Sequence, residues 1–175
     1  MAEAETNKLE VYIDESQISR RVKEIADEIN RDYAGKLPIF IGVLNGAFVF
    51  LSDLIREINI DCEIDFLKLS SYGDSQISSG DITLLKELNC EIEGQDVIIV
   101  EDIIDSGLSI KYMKSLIEKH NPSSLKIVTF LYKEETVKLD FEIDYIGFKI
   151  ENKFVVGYGL DYAQKYRNLK SIYML

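Results

Sequence analysis

Two adjacent carboxylates, Glu101 and Asp102, follow a run of β-branched apolar residues, and a short polar loop begins three residues later. Apolar residues at helical spacing follow this loop, which consists of Asp105, Ser106, Gly107, Leu108 and Ser109. The apolar run predicts a buried strand that ends at the acid pair, so that the loop precedes a helix N-terminus. Carboxylates can bind hydroxyl groups or a metal ion, and free N–H groups with two hydroxyls can bind a phosphate. The pattern therefore indicates a site that holds a sugar phosphate at both ends.

The polar loop suits a phosphate because the first N–H groups of a helix lack partners within the helix. The helix dipole favours an anion at the same place, and Gly107 permits a tight turn of the backbone. An ordinary capped helix, with Asp105 as its N-cap, is the alternative interpretation. The sequence contains neither GxxxxGKS/T nor GxGxxG after a strand, which excludes a P-loop and argues against a dinucleotide site.

The acid pair lies at the predicted boundary of the core, where two neighbouring anions cost free energy unless something neutralises them. Ribose hydroxyls and magnesium are suitable partners for such a pair. A strand end with solvated carboxylates is the alternative interpretation.

Composition limits the classes of partner. The chain has 175 residues, of which 31 are acidic and 20 basic, and its net charge is −11. This negative charge argues against broad binding to nucleic acid or to an anionic membrane, and no apolar run is long enough to span a membrane. Cys62 and Cys90 have no metal-ligand spacing and are expected to be reduced thiols. We therefore expect a cytoplasmic protein with one domain over residues 1–175, of which residues 1–8 are disordered.

The segments that carry these residues alternate between helical and extended patterns. A capping box of Asp14 and Gln17 starts a helix whose apolar residues recur at helical spacing up to Ile29. Further helices are expected from Ala47 to Ile55 and after the polar loop. Strands are expected at residues 39–44, 60–66, 82–85, 97–102, 125–132, 145–148 and 154–157. The strand at residues 60–66 alternates apolar and acidic residues and is expected to be half-exposed. The alternation of strands and helices along the chain predicts an α/β domain with a mainly parallel sheet.

The carboxyl ends of neighbouring parallel strands meet at one edge of a sheet, and ligands bind there. Leu44, Asn45 and Gly46 lie at the end of one predicted strand, the acid pair ends another, and Lys133 follows a third. Three separate regions of the chain are therefore expected to converge on one rim.

Residues 97–109 resemble the phosphoribosyl-pyrophosphate-binding motif of type I phosphoribosyltransferases. More narrowly, the chain resembles the hypoxanthine-guanine phosphoribosyltransferases from about residue 10 to its C-terminus. Four other segments carry this resemblance. Residues 43–47 resemble the family's pyrophosphate loop, and Ser71 with Tyr72 resembles the start of its mobile lid. Residues 131–133 resemble the strand end that bears its purine-reading lysine, and residues 153–162 with Tyr166 and Arg167 resemble its purine-pocket segment. The resemblance implies a twisted, mainly parallel sheet flanked by helices, with a small hood formed by the chain termini.

For the activated sugar, the resemblance implies that residues 105–109 hold the 5-phosphate. Glu101 and Asp102 contact the ribose hydroxyls, one directly and one through magnesium or water. The pyrophosphate group is held by Leu44, Asn45, Gly46 and Arg167, and the peptide bond between the first two is expected to be cis. Segment 70–80 closes over the site to exclude water.

For the purine, the resemblance implies that Lys133 donates to the 6-oxo group, which favours hypoxanthine and guanine over adenine. Phe154 stacks on the ring and Val155 contacts its edge through backbone groups, although a position in the core is the alternative for Phe154. Asp161 lies near the purine and binds a second magnesium ion, so that two ions are expected. Asp105 accepts the N7 proton as a general base.

The implied reaction is the magnesium-dependent formation of IMP or GMP from 5-phosphoribosyl 1-pyrophosphate by a homodimer or homotetramer. A regulator that senses the same sugar and binds RNA or DNA is a second hypothesis, but it needs a basic face or an added module. A signalling receiver domain is a third hypothesis, but its paired acids belong on the first strand, whereas these lie mid-chain.

Overall fold

The computed structural model describes residues 9–71 and 82–175, which form two β-sheets and three α-helices. The strands are β1 (Glu10–Ile13), β2 (Ile39–Leu44), β3 (Glu63–Ser71), β4 (Ile82–Lys86), β5 (Asp96–Ile104), β6 (Ser124–Tyr132), β7 (Tyr145–Lys149), β8 (Val155–Val156) and β9 (Ile172–Met174). The helices are α1 (Glu15–Asp32), α2 (Phe48–Glu57) and α3 (Leu108–Glu118). The predictions for residues 1–8 and for Tyr72 lie outside the described residues. Within the described residues, no helix combines the length and the apolar character needed to cross a membrane.

The larger sheet has the strand order β4-β3-β2-β5-β6-β7, and every neighbouring pair is parallel except β3 with β4. Helices α1 and α2 pack on one face of this sheet and α3 packs on the other. The predicted α/β class with a mainly parallel sheet is therefore confirmed. Because the parallel strands run in one direction, the carboxyl ends of β2, β5 and β6 meet at one rim.

Helix α1 begins where the sequence predicts it. The Asp14 carboxylate accepts hydrogen bonds from the N–H groups of Ser16 at 2.8 Å and Gln17 at 2.9 Å. The amide oxygen of Gln17 accepts one in return from the N–H of Asp14 at 3.0 Å. This reciprocal cap satisfies N–H groups that have no partner inside the helix. The apolar stripe that follows is buried against the sheet and consists of Ile18, Val22, Ile25, Ala26 and Ile29.

An aromatic cluster attaches the C-terminal segment to the larger sheet. The ring of Phe130 in β6 lies 5.2 Å from that of Phe50 in α2 and 5.6 Å from that of Phe148 in β7. The ring of Tyr158, which follows β8, lies 4.7 Å from the same Phe130. Large buried rings dominate the energetics of packing. The chain after β8 is therefore fixed over the sheet close to the rim.

The smaller sheet joins the two ends of the chain in the order β1-β9-β8, with antiparallel pairs. It forms the hood that the family resemblance implies. The residue pattern itself did not predict β1 or β9, which have only four and three residues. Strands this short form because distant parts of the chain pair with each other, and their local sequence gives little periodicity to detect.

The alternation in β3 is only partly reflected in its burial. Ile64, which lies on the apolar face of the pattern, is 46% exposed, whereas the side chain of Asp65 is buried. The chain after β4 folds back over this carboxylate, which accepts hydrogen bonds from the backbone N–H groups of Phe66, Asn89 and Cys90. Burial alone raises the pKa of Asp65, but these donors outweigh it and hold the pKa well below its usual range. The prediction of a half-exposed strand is therefore wrong at Asp65, because a later loop satisfies the buried charge.

Asp65→Ala is expected to lower the free energy of unfolding by about 3 kcal/mol, because it leaves several buried donors without an acceptor. The pKa of Asp65 is lowered in the folded state, so its stabilisation is complete above the unfolded pKa of about 3.9 and is lost as the pH falls through the folded-state pKa. Urea unfolding at pH 7 and pH 3 measures the size of the effect and its decrease in acid.

Glu63→Ala is the control for this prediction, since Glu63 is an exposed carboxylate on the same face of β3. It should change the free energy of unfolding by less than about 0.5 kcal/mol. Equal stability of Asp65→Ala and the unmodified protein at pH 7 would contradict the stabilising role of the buried carboxylate.

Candidate active site

The rim at the carboxyl ends of the parallel strands contains a cleft of about 250 Å³. Its walls come from the end of β2, from β3, from β5 and from the loop that leads into α3. They comprise Val43, Leu44, Gly46, Leu69, residues 101–107, Ser109 and Ile110. The acid pair and the polar loop therefore line one cavity.

The acid pair lies within β5 rather than at its end. The strand continues to Ile104, beyond the predicted boundary, because its pairing with β6 extends as far as Tyr132. Glu101 is 6% exposed, and a carboxylate oxygen of Asp102 accepts a hydrogen bond of 2.8 Å from the N–H of Ile103. Burial raises the pKa of both carboxyl groups, and the neighbouring charge of Asp102 raises that of Glu101 further. The interpretation as a solvated strand end is therefore wrong.

The acid pair fits a magnesium ion. Burial disfavours the charged form of both carboxyl groups, and a divalent cation restores it. Magnesium is usually held by one or two carboxylates together with waters and substrate phosphates. In the part of the chain that the structure describes, no three or more Asp, Glu, His or Cys side chains are grouped to hold a metal ion. Glu101 and Asp102 therefore suit an ion that shares its ligands with a phosphorylated substrate.

The polar loop turns into α3 at Gly107, whose φ of +80° lies in the left-handed region that favours glycine. A Cβ at this position would also lie 2.9 Å from the Cδ2 atom of Leu139. The N-cap residue of α3 is Gly107, so the interpretation of Asp105 as the N-cap is wrong. The Ser106 hydroxyl accepts only a long hydrogen bond, of 3.4 Å, from the N–H of Leu108. The side chains of Ser106 and Ser109 are exposed beside this helix end. The N-terminus of α3 is therefore accessible to an anion.

Lys133 and Asp105 form an ion pair at the same rim. The Lys133 ammonium lies 2.9 Å from a carboxylate oxygen of Asp105 and 3.5 Å from the side-chain oxygen of Asn152. Lys133 is buried, whereas the Asp105 side chain is 54% exposed. The N–H of Lys133 also donates to the carbonyl oxygen of Ile104 at 3.1 Å, which fixes the end of β6 against β5. The lysine and the aspartate that the resemblance assigns to the purine are thus in direct contact.

The turn between β2 and α2 packs closely against the acid pair. The peptide bond between Leu44 and Asn45 is cis, as the resemblance implies. A Cβ on Gly46 would overlap a carboxylate oxygen of Asp102, and a Cβ on Gly159 would overlap the carbonyl oxygen of Gly46. At Gly159 the obstacle is the backbone of Gly46, and at Gly46 it is the side chain of Asp102, so glycine is the residue that fits at each position without displacing its neighbour.

Arg167 belongs to the C-terminal segment that approaches this turn. Its guanidinium donates to the carbonyl oxygen of Gly159 at 2.7 Å and lies 2.6 Å from a carboxylate oxygen of Asp161. Its positive charge also lowers the pKa of Asp102, against the larger effect of burial. The structure therefore brings Arg167 and Asp161 together near the acid pair, with their charges matched to each other.

Phe154 lies at the surface beside β8. It is 54% exposed, and its ring meets that of Tyr162 edge to face, with centroids 5.7 Å apart and planes at 86°. The alternative that placed Phe154 in the core is therefore wrong. Val155 is buried and pairs with β9, so that its backbone is fixed next to the exposed ring. An exposed aromatic ring offers a surface on which a planar base can stack.

The start of the implied lid lies at the boundary of the described residues. Ser71 is the last residue of β3, and Tyr72 lies outside them. Leu69 of the same strand lines the cleft, and β3 is parallel to β2. The implied lid therefore begins at the rim that carries the site.

Three contacts at the site each include one residue that sequence analysis did not identify: Asp53, Thr136 or Asn152. The hydroxyl of Tyr158 donates to the Asp53 carboxylate of α2 at 2.8 Å, which attaches the C-terminal segment near the turn after β2. Thr136 contacts Asp105, and Asn152 contacts the lysine that pairs with this aspartate. No local spacing marks these residues, because their partners lie far away in the chain.

Comparisons with known proteins place this arrangement in a family. The phosphoribosyl transferase domain matches residues 11–163. The hypoxanthine-guanine phosphoribosyltransferase of Bacillus subtilis is 46% identical over 165 residues, which cover 94% of this chain and 92% of that relative. The chain belongs to the hypoxanthine-guanine phosphoribosyltransferase family. The resemblance inferred from the motifs is confirmed.

Two further comparisons support the same fold. The hypoxanthine-guanine phosphoribosyltransferase of Aquifex aeolicus is 43% identical over 176 residues, covering 100% of this chain and 99% of that relative. A crystal structure of a hypoxanthine-guanine phosphoribosyltransferase from Bacillus anthracis matches with a TM-score of 0.90 at 46% identity, covering 95% of this chain and 98% of that chain. The fold is thus the type I phosphoribosyltransferase fold.

Gly46→Ala is expected to lower the phosphoribosyl transfer rate about 100-fold, because the new Cβ displaces the Asp102 carboxylate. A displacement of about 1 Å in an active site can reduce the rate by this factor. Steady-state rates at several sugar concentrations measure the loss. Gly94→Ala is the matched control, since nothing lies within 4 Å of a Cβ there and its φ of +70° affects only stability. A Gly46→Ala enzyme with an unchanged rate would show that Asp102 need not hold this position.

Proposed function

We propose that this chain transfers the phosphoribosyl group of 5-phosphoribosyl 1-pyrophosphate to hypoxanthine or guanine, which yields IMP or GMP and pyrophosphate. One observation supports the proposal most directly: a single cleft is lined both by the acid pair, in which Glu101 is buried, and by an accessible helix N-terminus. The activity in the names of the relatives supports purine salvage. The proposal treats residues 1–175 as a single domain.

In this proposal the N-terminus of α3, with residues 105–109, holds the 5-phosphate. The N–H groups of the first helical turn, two hydroxyls and the helix dipole all favour an anion there, and the long contact between Ser106 and the N–H of Leu108 is readily exchanged for it. Glu101 and Asp102 contact the ribose hydroxyls and hold one magnesium ion, and Asp161 holds a second. When bound, magnesium supplies positive charge for the acid pair and for the departing pyrophosphate.

The departing pyrophosphate lies against residues 44–46 and Arg167. The turn offers its backbone, and the guanidinium offers several donors in a planar array that suits phosphate oxygens. Arg167 then exchanges its partner Asp161 for the phosphate, which frees this carboxylate for a cation. The segment that begins at Ser71 and Tyr72 closes over the site and keeps water from the activated sugar.

The 6-oxopurine binds between Lys133 and Phe154. Lys133 donates to the 6-oxo oxygen, Phe154 stacks on the ring, and Val155 contacts the purine edge through its backbone. The ammonium is buried, so an adenine amino group that faces it loses a hydrogen bond without gaining another. This arrangement favours hypoxanthine and guanine over adenine.

Asp105 acts as the general base. The purine nitrogen that attacks the anomeric carbon becomes positively charged as the bond forms, so the ring must share or lose its N7 proton. The Asp105 carboxylate lies next to Lys133, and an exposed carboxylate can take up that proton. When Lys133 turns to the 6-oxo oxygen, the carboxylate is released to act on N7.

A cytoplasmic homodimer or homotetramer completes the proposal. Cys62 and Cys90 are free and half-buried, which suits a reducing compartment. Burial raises the pKa of both thiols, so neither is a ready nucleophile. Light scattering coupled to size-exclusion chromatography measures the assembly.

Turnover of hypoxanthine, guanine, xanthine and adenine, each with and without magnesium, tests the proposed function. We expect magnesium-dependent nucleotide and pyrophosphate from the first two bases and at least about 100-fold less from adenine. Absence of nucleotide from both hypoxanthine and guanine would refute the function. Tight, salt-sensitive binding of RNA or DNA would instead favour the regulator hypothesis.

Lys133→Gln is expected to lower kcat/KM for hypoxanthine and guanine about 50-fold, since it removes a charged donor to the 6-oxo oxygen. Its amide oxygen can accept from an adenine amino group, so the preference against adenine should shrink at the same time. Lys138→Gln, an exposed lysine on the next loop, is the control. Unchanged base selectivity in Lys133→Gln would exclude this lysine as the purine-reading residue.

Asp105→Asn is expected to lower kcat about 100-fold and to change the KM for the sugar by less than about threefold, because it removes a base without removing the phosphate donors. Initial rates of IMP formation at saturating substrates measure the effect. Asp140→Asn, an exposed carboxylate on the neighbouring loop, should retain full activity. If the main effect of Asp105→Asn falls on the KM for the sugar, Asp105 belongs to phosphate binding rather than to proton transfer.

A further inference from the structure

We propose that Thr136 is a positioning residue that holds Asp105 in place for proton transfer from the purine. This inference rests on the proposed function, in which Asp105 is the base. Thr136 lies in the turn that follows β6, three residues after Lys133. The turn from Lys133 to Thr136 therefore carries both the donor to the purine oxygen and a side chain that supports the base.

The Thr136 hydroxyl lies among three oxygen atoms. Its Oγ1 atom is 2.8 Å from the carbonyl oxygen of Asp105, 3.2 Å from a carboxylate oxygen of the same residue and 3.2 Å from the carbonyl oxygen of Lys133. A hydroxyl has one proton to donate, so these acceptors share or exchange it. Two of the three belong to Asp105, and one donor therefore constrains both the backbone and the side chain of that residue.

The turn that carries this hydroxyl is itself held on both sides. The N–H groups of Thr136 and Val137 donate to the carbonyl oxygen of Lys133 at 3.1 and 3.2 Å. Val137 and Leu139 pack against the core on the α3 side of the sheet and cover Gly107. The donor is therefore fixed relative to the polar loop, which allows it to limit the motion of Asp105.

The need for this support arises during the proposed reaction. Lys133 holds the Asp105 carboxylate before the purine binds, and it turns to the 6-oxo oxygen afterwards. The Asp105 side chain is half-exposed, so packing alone does not fix its rotamer. Among the contacts that the structure describes, the hydroxyl of Thr136 is the donor that stays with the carboxylate after this exchange. Its loss should therefore affect turnover more than binding.

The test compares Thr136→Val, which keeps the shape but removes the hydroxyl, with Thr136→Ser, which keeps the hydroxyl. Thr136→Val should lower kcat for IMP formation about tenfold, the change expected for one lost hydrogen bond to a charged acceptor, and leave the KM for the sugar within about twofold. Thr136→Ser should restore kcat to within about twofold of the unmodified enzyme. Glu135→Ala, an exposed side chain on the same turn, should leave both parameters unchanged.

A double-mutant cycle separates positioning from a general loosening of the loop. If Thr136 acts through the Asp105 carboxylate, Thr136→Val should cause little further loss of kcat in an Asp105→Asn background. Additive losses, a rise in the sugar KM that matches the fall in kcat, or unchanged kcat in Thr136→Val would each overturn the inference.

Crystal structures provide a readout that needs no turnover. The Asp105 carboxylate should keep its place in Thr136→Ser and leave it in Thr136→Val when a purine nucleotide occupies Lys133. An unmoved carboxylate in Thr136→Val overturns the role of Thr136. Failure of the unmodified chain to form nucleotide would instead refute the proposed function, and the two results are distinguishable.

Discussion

The constraint on which the site depends is a pair of adjacent carboxylates, one buried and one half-buried, within a parallel strand. Glu101 and Asp102 lie in β5, which is buried from Val97 to Glu101, and burial raises the pKa of both groups. The surrounding backbone is shaped around this pair. Gly46 has no room for a Cβ beside Asp102, and Gly159 has none beside the carbonyl oxygen of Gly46. Three segments that are distant in the chain, around Gly46, Asp102 and Gly159, therefore meet at the acid pair.

The other charges of the site are already matched within the chain. Lys133 is paired with Asp105, and Arg167 is paired with Asp161. The acid pair has the nearby charge of Arg167 but no ion pair of its own among the described salt bridges. An anionic sugar alone would meet repulsion there, whereas the same sugar with a divalent cation would be attracted. In the proposed function, this difference would allow a chain with a net charge of −11 to bind a substrate with several phosphate groups.

Much of the fold and part of the site follow from the sequence because they depend on local patterns. Buried runs of β-branched residues located β2, β5 and β6, the capping box located α1, and the parallel order placed three strand ends at one rim. The family resemblance supplied the hood and the cis peptide bond. The burial of Asp65 and the contact of Thr136 with Asp105 could not be predicted, because each depends on a later loop that folds back. The predicted end of β5 is wrong for a related reason. Two adjacent carboxylates in a sequence indicate a solvated strand end, and only the tertiary structure shows that the strand continues through them to Ile104.

The C-terminal segment couples the site to the fold as a whole. Tyr158 packs on Phe130 in the core and donates to Asp53 of α2, and its neighbour Gly159 packs against the turn after β2. The Arg167 guanidinium donates to the carbonyl oxygen of Gly159, and β9 pairs with β1 from the other end of the chain. The turn after β2 is therefore enclosed by a segment that is itself held by the pairing of the two chain ends. Gly46 has no side chain to pack, so its position depends on the neighbours that leave no room for a Cβ: the Asp102 carboxylate on one side and the backbone of Gly159 on the other.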